Sequence, residues 1–108
     1  MSKIKQFYSI MQSDMRCYKT GKTNNLDQHH VMNGPMKKKS EKYGLMVYLN
    51  HDEHMWLHGT RDGEAYKRHL KAEAQLAFEA LYGHEKWMSE FHKNYLPIKE
   101  VSNEDSNT

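Results

Sequence analysis

Two kinds of apolar spacing divide the chain. Leu45-Met46-Val47-Tyr48-Leu49 is a short unbroken apolar run, partly β-branched and aromatic, and predicts a buried strand. Further on, Tyr66, Leu70, Ala74, Ala77, Phe78 and Leu81 recur at i+3 and i+4, which predicts a long amphipathic helix stopped by Gly83. Trp87, Met88 and Phe91 mark a last short helix over about residues 84–95, closed at Leu96-Pro97 because proline disfavours helix in the residue before it. Between strand and long helix, Asn50 and Asp52 can cap a further helix that Gly59 ends.

The first half is less regular. Ile4, Phe7, Tyr8, Ile10 and Met11 suit a short amphipathic helix or an extended lead-in over residues 1–14. Arg16 to Lys19 reads as a short strand before the Thr20-Gly21 turn, and Leu26 to Met32 as a second extended piece. Residues 33–42 are polar and basic with Gly34-Pro35 at their head, so they are expected to form an exposed loop. The order strand, loop, strand, helix thus occupies residues 26–59. The expected division is a lead-in at 1–14, an α+β domain at 15–96, and a polar tail at 97–108 with too few apolar groups to offset the entropy of ordering.

Composition narrows the class. At 108 residues, 37% of them apolar, the chain forms one small domain near the size at which burial alone gives marginal stability. No apolar run approaches the roughly 20 residues of a membrane helix, and the start lacks the features of a signal peptide; the expectation is a soluble protein in the cytoplasm where it is made. The single cysteine, Cys17, excludes an internal disulfide and a zinc site built on several thiolates, and reads as a small buried side chain. Net charge is only +2, but Arg16, Lys19, Lys22, Lys37, Lys38, Lys39 and Lys42 crowd the middle. The run Lys37, Lys38, Lys39 with Lys42 is either a solvated face or a set of phosphate contacts that positions nucleic acid without specifying sequence. Lys67, Arg68 and Lys71 read as the wet face of their helix.

The candidate chemistry lies in the histidines, of which there are eight. His54 and His58, spaced i, i+4, share one helix face as two ligands to one ion must. In the tandem pair His29 and His30, neighbours on a strand point to opposite sides, so one can complete the site while the other handles protons. Neutral imidazole is the commonest protein ligand for transition metals. Asp27, two residues before His29, shares its strand face and can supply or orient an oxygen ligand. His51, His69, His84 and His92 read as surface or partly buried polar residues, and Trp56 as packing.

Taken together, Cys17-Tyr18-Lys19-Thr20-Gly21-Lys22-Thr23, Asp27-Gln28-His29-His30-Val31, Tyr43-Gly44-Leu45-Met46-Val47-Tyr48-Leu49 and Asp52-Glu53-His54 resemble small phage-encoded HNH nuclease-like proteins. The resemblance continues through Ala74-Gln75, Tyr82-Gly83 and Lys93-Asn94-Tyr95-Leu96, and covers about residues 15–96. The tandem histidine with its downstream HxxxH also looks like the nuclease domains of DNase colicins. The resemblance implies a ββα-metal (His-Me finger) fold gripping one divalent cation, with His29, His54 and His58 as ligands, His30 as general base, DNA as substrate and a 5′-phosphate as product. Three imidazoles favour zinc, nickel, cobalt or copper on ligand softness, whereas superfamily members with mixed ligands work with magnesium or manganese.

The chain departs from that pattern at two places. Where the family carries the middle asparagine of its name, this chain has Gly44, so Asn33 or Asn50 must orient the base from elsewhere, or catalysis is weakened. The cysteine pairs that hold a structural zinc in many HNH proteins are missing, with Asn50 and Glu53 near where they would fall. Two readings follow: a metal-dependent DNA endonuclease or nickase, or a catalytically weak or inactive module that binds nucleic acid or protein. One metal centre cuts one strand, so a double-strand break would need a homodimer or two encounters.

Overall fold

The computed structural model describes residues 6–97. It is a small α+β fold in which a two-stranded antiparallel sheet, β1 (Leu26–His30) and β2 (Met46–Asn50), meets four helices: α1 (Lys37–Tyr43), α2 (His51–Gly59), α3 (Arg61–Tyr82) and α4 (His84–Phe91). The strands pair with His29 opposite Val47 and His30 opposite Met46.

The run at 45–49 is the strand its composition predicts, and it is buried on both faces: Leu45, Met46, Val47, Tyr48 and Leu49 are all at most 2% exposed. Leu45, Val47 and Leu49 join the main apolar cluster with Leu57, Leu70, Phe78 and Trp87. The other face and outer edge are covered by the lead-in, which is irregular rather than helical from residue 6 onward. The Phe7 ring stacks on Tyr48 at 4.2 Å, Ser9 Oγ donates to Met46 O at 2.6 Å, and Tyr48 N donates to Gln12 Oε1 at 2.7 Å. An open strand edge exposes unpaired donors and acceptors; here side chains and coil backbone take them up.

Three expectations need correction. Arg16 to Lys19 is a turn, not a strand: Gly21 N donates to Cys17 O at 2.8 Å with Gly21 at φ 81°, while Cys17 is buried as expected. Residues 33–42 are not a loop. Pro35 sits in the first turn of a short 3-10 segment, Gly34–Met36, where its missing N–H costs nothing, and this runs into α1, which Gly44 ends in the left-handed conformation at φ 73°. α1 escaped the pattern because its buried residues are only Ser40 and Tyr43, and Ser40 is held by polar bonds, donating to Met32 O at 2.6 Å and accepting from Met32 N at 2.9 Å. α4 stops at Phe91, short of residue 95, with His92 left-handed at φ 67°. The tail expected to be unstructured falls outside the described residues beyond 97.

Thr60 starts α3 earlier than its apolar stripe suggests, by accepting from Gly63 N at 2.8 Å. Leu70, Ala74 and Phe78 are fully buried, whereas Leu81, at the end of the stripe, is 60% exposed. α3 packs so tightly on α2 that a Cβ at Gly63 would sit 2.5 Å from Leu57 O and also strike Trp56 O. Replacing a helical glycine by alanine normally gains up to about 1 kcal/mol of propensity. At Gly63 the overlap with backbone outweighs that gain, so Gly63→Ala is expected to lower the unfolding free energy by about 1–3 kcal/mol, read from the urea midpoint.

Candidate metal centre

The antiparallel register determines which of the tandem histidines faces inward. His29 is 4% exposed, and His30 is only half-buried, as strand alternation requires. α2 leaves β2 without a connecting loop. Asn50 ends the strand and caps the helix, accepting from Asp52 N at 3.1 Å, so one turn later the helix carries His54, and a further turn later His58, up to His29.

The three rings meet. His29 lies 5.3 Å from His54 and 5.6 Å from His58, centroid to centroid, and His54 and His58 lie 5.0 Å apart. One ligand nitrogen from each falls within 4.8 Å of the others, close enough to hold a metal ion. Two imidazoles on one tetrahedral ion at bonds of about 2.1 Å sit about 3.4 Å apart, so small side-chain rotations close the set. The site runs from buried His29 through half-buried His54 to exposed His58, which leaves one side open to solvent.

Its electrostatics keep two of the imidazoles neutral. Burial, reinforced by the neighbouring His54 and His58, holds the His29 pKa down to about 3. Burial and His54 likewise lower that of His58. Imidazoles that resist protonation keep the lone pairs a metal needs. Asp27 shares the face of His29 but does not belong to the ligand set. Its Oδ2 lies 3.0 Å from His54 Nδ1 and 2.8 Å from His51 Nδ1. Partial burial raises the Asp27 pKa, but these two hydrogen bonds outweigh it and hold the carboxyl below its usual value. The contact of His54 Nδ1 with Asp27 leaves Nε2 as the ring nitrogen open to an ion, and a carboxylate on the other nitrogen is the usual outer support of a metal-binding histidine.

No family model matches the chain, and no curated protein or solved structure matches it. What the site can do therefore has to be read from its own residues.

The other sequence candidates are dispersed. His30 Nε2 faces Glu41 Oε2 at 2.7 Å. Glu41 went unnoticed in the sequence because its segment read as loop; only as part of α1 does it come over the end of β1. Asn50, expected as a catalytic partner of His30, has both ends of its amide engaged in structure: Oδ1 caps α2, and Nδ2 donates to Asn24 O at 2.9 Å. It pairs with Leu26, at the opposite end of the hairpin from His30. Gly44 is committed to its left-handed turn, and a Cβ there would meet Tyr8 Cε2 at 2.8 Å. Lys37 and Lys38 are exposed on α1, whereas Lys39 is tied to α4, donating to Glu90 O at 2.7 Å with Glu90 Oε1 at 3.3 Å. Lys42 Nζ lies over the Tyr43 ring at 5.2 Å. Trp56 packs beside Tyr66 beneath Lys19.

The His29 environment gives a pH dependence. Its folded pKa, about 3, lies below the ordinary 6.5, so in that interval the unfolded chain holds the extra proton and stability rises with pH. The metal-free protein is expected to be most stable above about pH 6.5 and to lose up to about 1.4 kcal/mol per pH unit from this group on acidification. Urea unfolding in EDTA at a series of pH values, with His29→Gln showing a shallower slope, checks this.

Proposed function

We propose that the protein is a metal-dependent DNA endonuclease or nickase of the ββα-metal type. The observation that carries the reading is the meeting of His29, from a strand, with His54 and His58, from the helix that directly follows its partner strand. Hairpin, helix and inward-facing histidines in this order are what one cation bridging strand and helix requires. The residues fit one divalent ion held by His29, His54 and His58, with zinc or nickel preferred on ligand type and manganese or magnesium as alternatives. Such an ion would neutralise charge on a phosphodiester and stabilise the departing oxygen.

The chain's own groups perform the remaining tasks. Asp27 holds the ring of His54, and His51 shares that carboxylate at the open side of the site. Glu41 accepts from His30 Nε2, which fixes the tautomer and leaves Nδ1 as the lone pair able to take a proton from the attacking water. Glu41 thus takes the orienting task that the family's asparagine would perform and that Gly44 cannot.

A second reading, a metal-bound fold that binds without cutting, is favoured by the same His30–Glu41 pair, because it turns Nε2 away from any substrate. Plasmid nicking with Mg²⁺, Mn²⁺, Ni²⁺ or Zn²⁺, against EDTA and His30→Ala, separates the two. Under the nuclease reading, cleavage needs an ion and falls about 10²–10⁴-fold in His30→Ala. His54→Ala is expected to abolish both cleavage and the rise in melting temperature on metal addition, and Asp27→Asn to weaken metal affinity about 10–100-fold. Metal-dependent stabilisation with no cleavage under any ion would establish the second reading.

A further inference from the structure

Several lysines that lie against the body of this protein are matched by carboxylates. Lys19 pairs with Glu53 at 3.1 Å, Lys39 with Glu90 at 3.3 Å and Lys67 with Glu64 at 2.8 Å. One group is not. On the solvent side of α3, a cleft of about 300 Å³ is lined by Glu64, Lys67, Arg68, Lys71, Lys93 and Tyr95. Four cations face one carboxylate there, and Lys67 already engages it. Among the described residues no carboxylate oxygen comes within 4.0 Å of Arg68, Lys71 or Lys93.

The cleft is built by fixed contacts. Its far wall is the segment after α4, which is pinned to α3 by Gln75, itself fully buried. Gln75 Nε2 donates to Asn94 Oδ1 at 2.7 Å, and Tyr95 N donates to Gln75 Oε1 at 2.7 Å. Trp87 Nε1 donates to Lys93 O at 2.7 Å. These bonds hold Lys93 and Tyr95 opposite Lys71, with Lys71 Nζ 5.9 Å and Lys93 Nζ 5.3 Å from the centre of the Tyr95 ring. Partial burial, with Lys67 and Lys93 beside it, lowers the Lys71 pKa against the opposing pull of Glu64: four cations are crowded about one carboxylate. Two residues of the cleft wall are close to the histidine cluster: Lys67 lies near enough to both His29 and His58 to act on their charge, as Glu64 does on that of His58.

We propose that this cleft is a phosphate-binding subsite in which Arg68, Lys71 and Lys93 hold a nucleic-acid backbone beside the histidine cluster. Arg68 supplies a planar fork and the two lysines point charges, the complement of successive phosphodiesters, while Tyr95 gives a ring face at the end of the track. The site as an anion site stands on the cleft alone; that its anion is a nucleic-acid backbone rests on the nuclease reading. It places the main phosphate contacts on α3 and the 93–95 segment rather than on α1.

The test is fluorescence anisotropy with a short labelled DNA duplex in EDTA, across a salt series, so that binding is measured without cleavage. Arg68→Ala and Lys71→Ala should each weaken binding several-fold and reduce the slope of log affinity against log salt by about 0.9, with Lys71→Arg close to the wild type in both and Arg68→Lys keeping the slope but not the full affinity. Lys86→Ala on α4 should leave both quantities unchanged, and circular dichroism melts identify any variant that is merely misfolded. Equal affinity and slope in folded Arg68→Ala and Lys71→Ala overturn the proposal. If the duplex does not bind but inorganic phosphate does, and Lys71→Ala loses it, the phosphate site stands with a free phosphate as its source. The nicking assay keeps the two readings apart. Salt-sensitive binding lost in Arg68→Ala, without cleavage under any ion, supports the subsite and removes the nuclease; metal-dependent cleavage with an unchanged KM in Arg68→Ala and Lys71→Ala does the reverse.

Discussion

The histidine cluster depends on one constraint, the antiparallel register that sets His29 opposite Val47. Side chains alternate across a strand, so a slip of one residue would turn His29 outward and bring His30 in its place. The apolar strand β2 prevents that slip. It is buried along its whole length, and a shifted pairing would leave Val47 and Leu49 without the helices they pack against. The site is thus aligned by hydrophobic packing on the neighbouring strand rather than by its own polar bonds.

The same economy governs the helix side. α2 begins at the residue after β2 ends, so no loop separates the position of Val47 from those of His54 and His58. The Asn50 cap and the Asp27 hydrogen bonds then fix rotation and tautomer. The close approach of α3 at Gly63 holds α2 against the sheet. Burying His29 disfavours its charged form, and the neighbours that act on this ring, His54, His58, His30 and Lys67, add to the effect. Such an environment is poor for an imidazolium and keeps the ring of His29 neutral, the form in which an imidazole can act as a ligand.

Charge in this protein is sorted by pairing more than by number. The lysine run on α1 looks the most basic in sequence, yet Lys39 is committed to Glu90. The less conspicuous Arg68 and Lys71 of α3 gather with Lys93 around a cleft and lack carboxylate partners among the described residues. Electrostatic affinity for a polyanion follows uncompensated charge on one face, and that face here extends from the histidines.

The sequence by itself determined the elements whose signal is local: the buried strand at 45–49, the long helix with Leu70, Ala74 and Phe78 inward, the helix ended by Gly59, and the His54–His58 pair on one face of it. Apolar periodicity and helix spacing depend only on neighbours in the chain, and so does the strand alternation that separated His29 from His30. The tertiary structure alone decided what depends on distant residues. α1 exists because Gly44 and Ser40 fasten it, with almost no apolar stripe to announce it, and only then does Glu41 reach His30. Asn50 had two plausible tasks, and the strand register gave it the capping one. The cleft on α3 needs residues 93–95 folded back by Gln75 and Trp87, contacts across 19, 20 and 6 positions. Long-range polar bonds of this kind leave no periodic trace in a sequence, because each uses one residue at a place that only the finished fold defines.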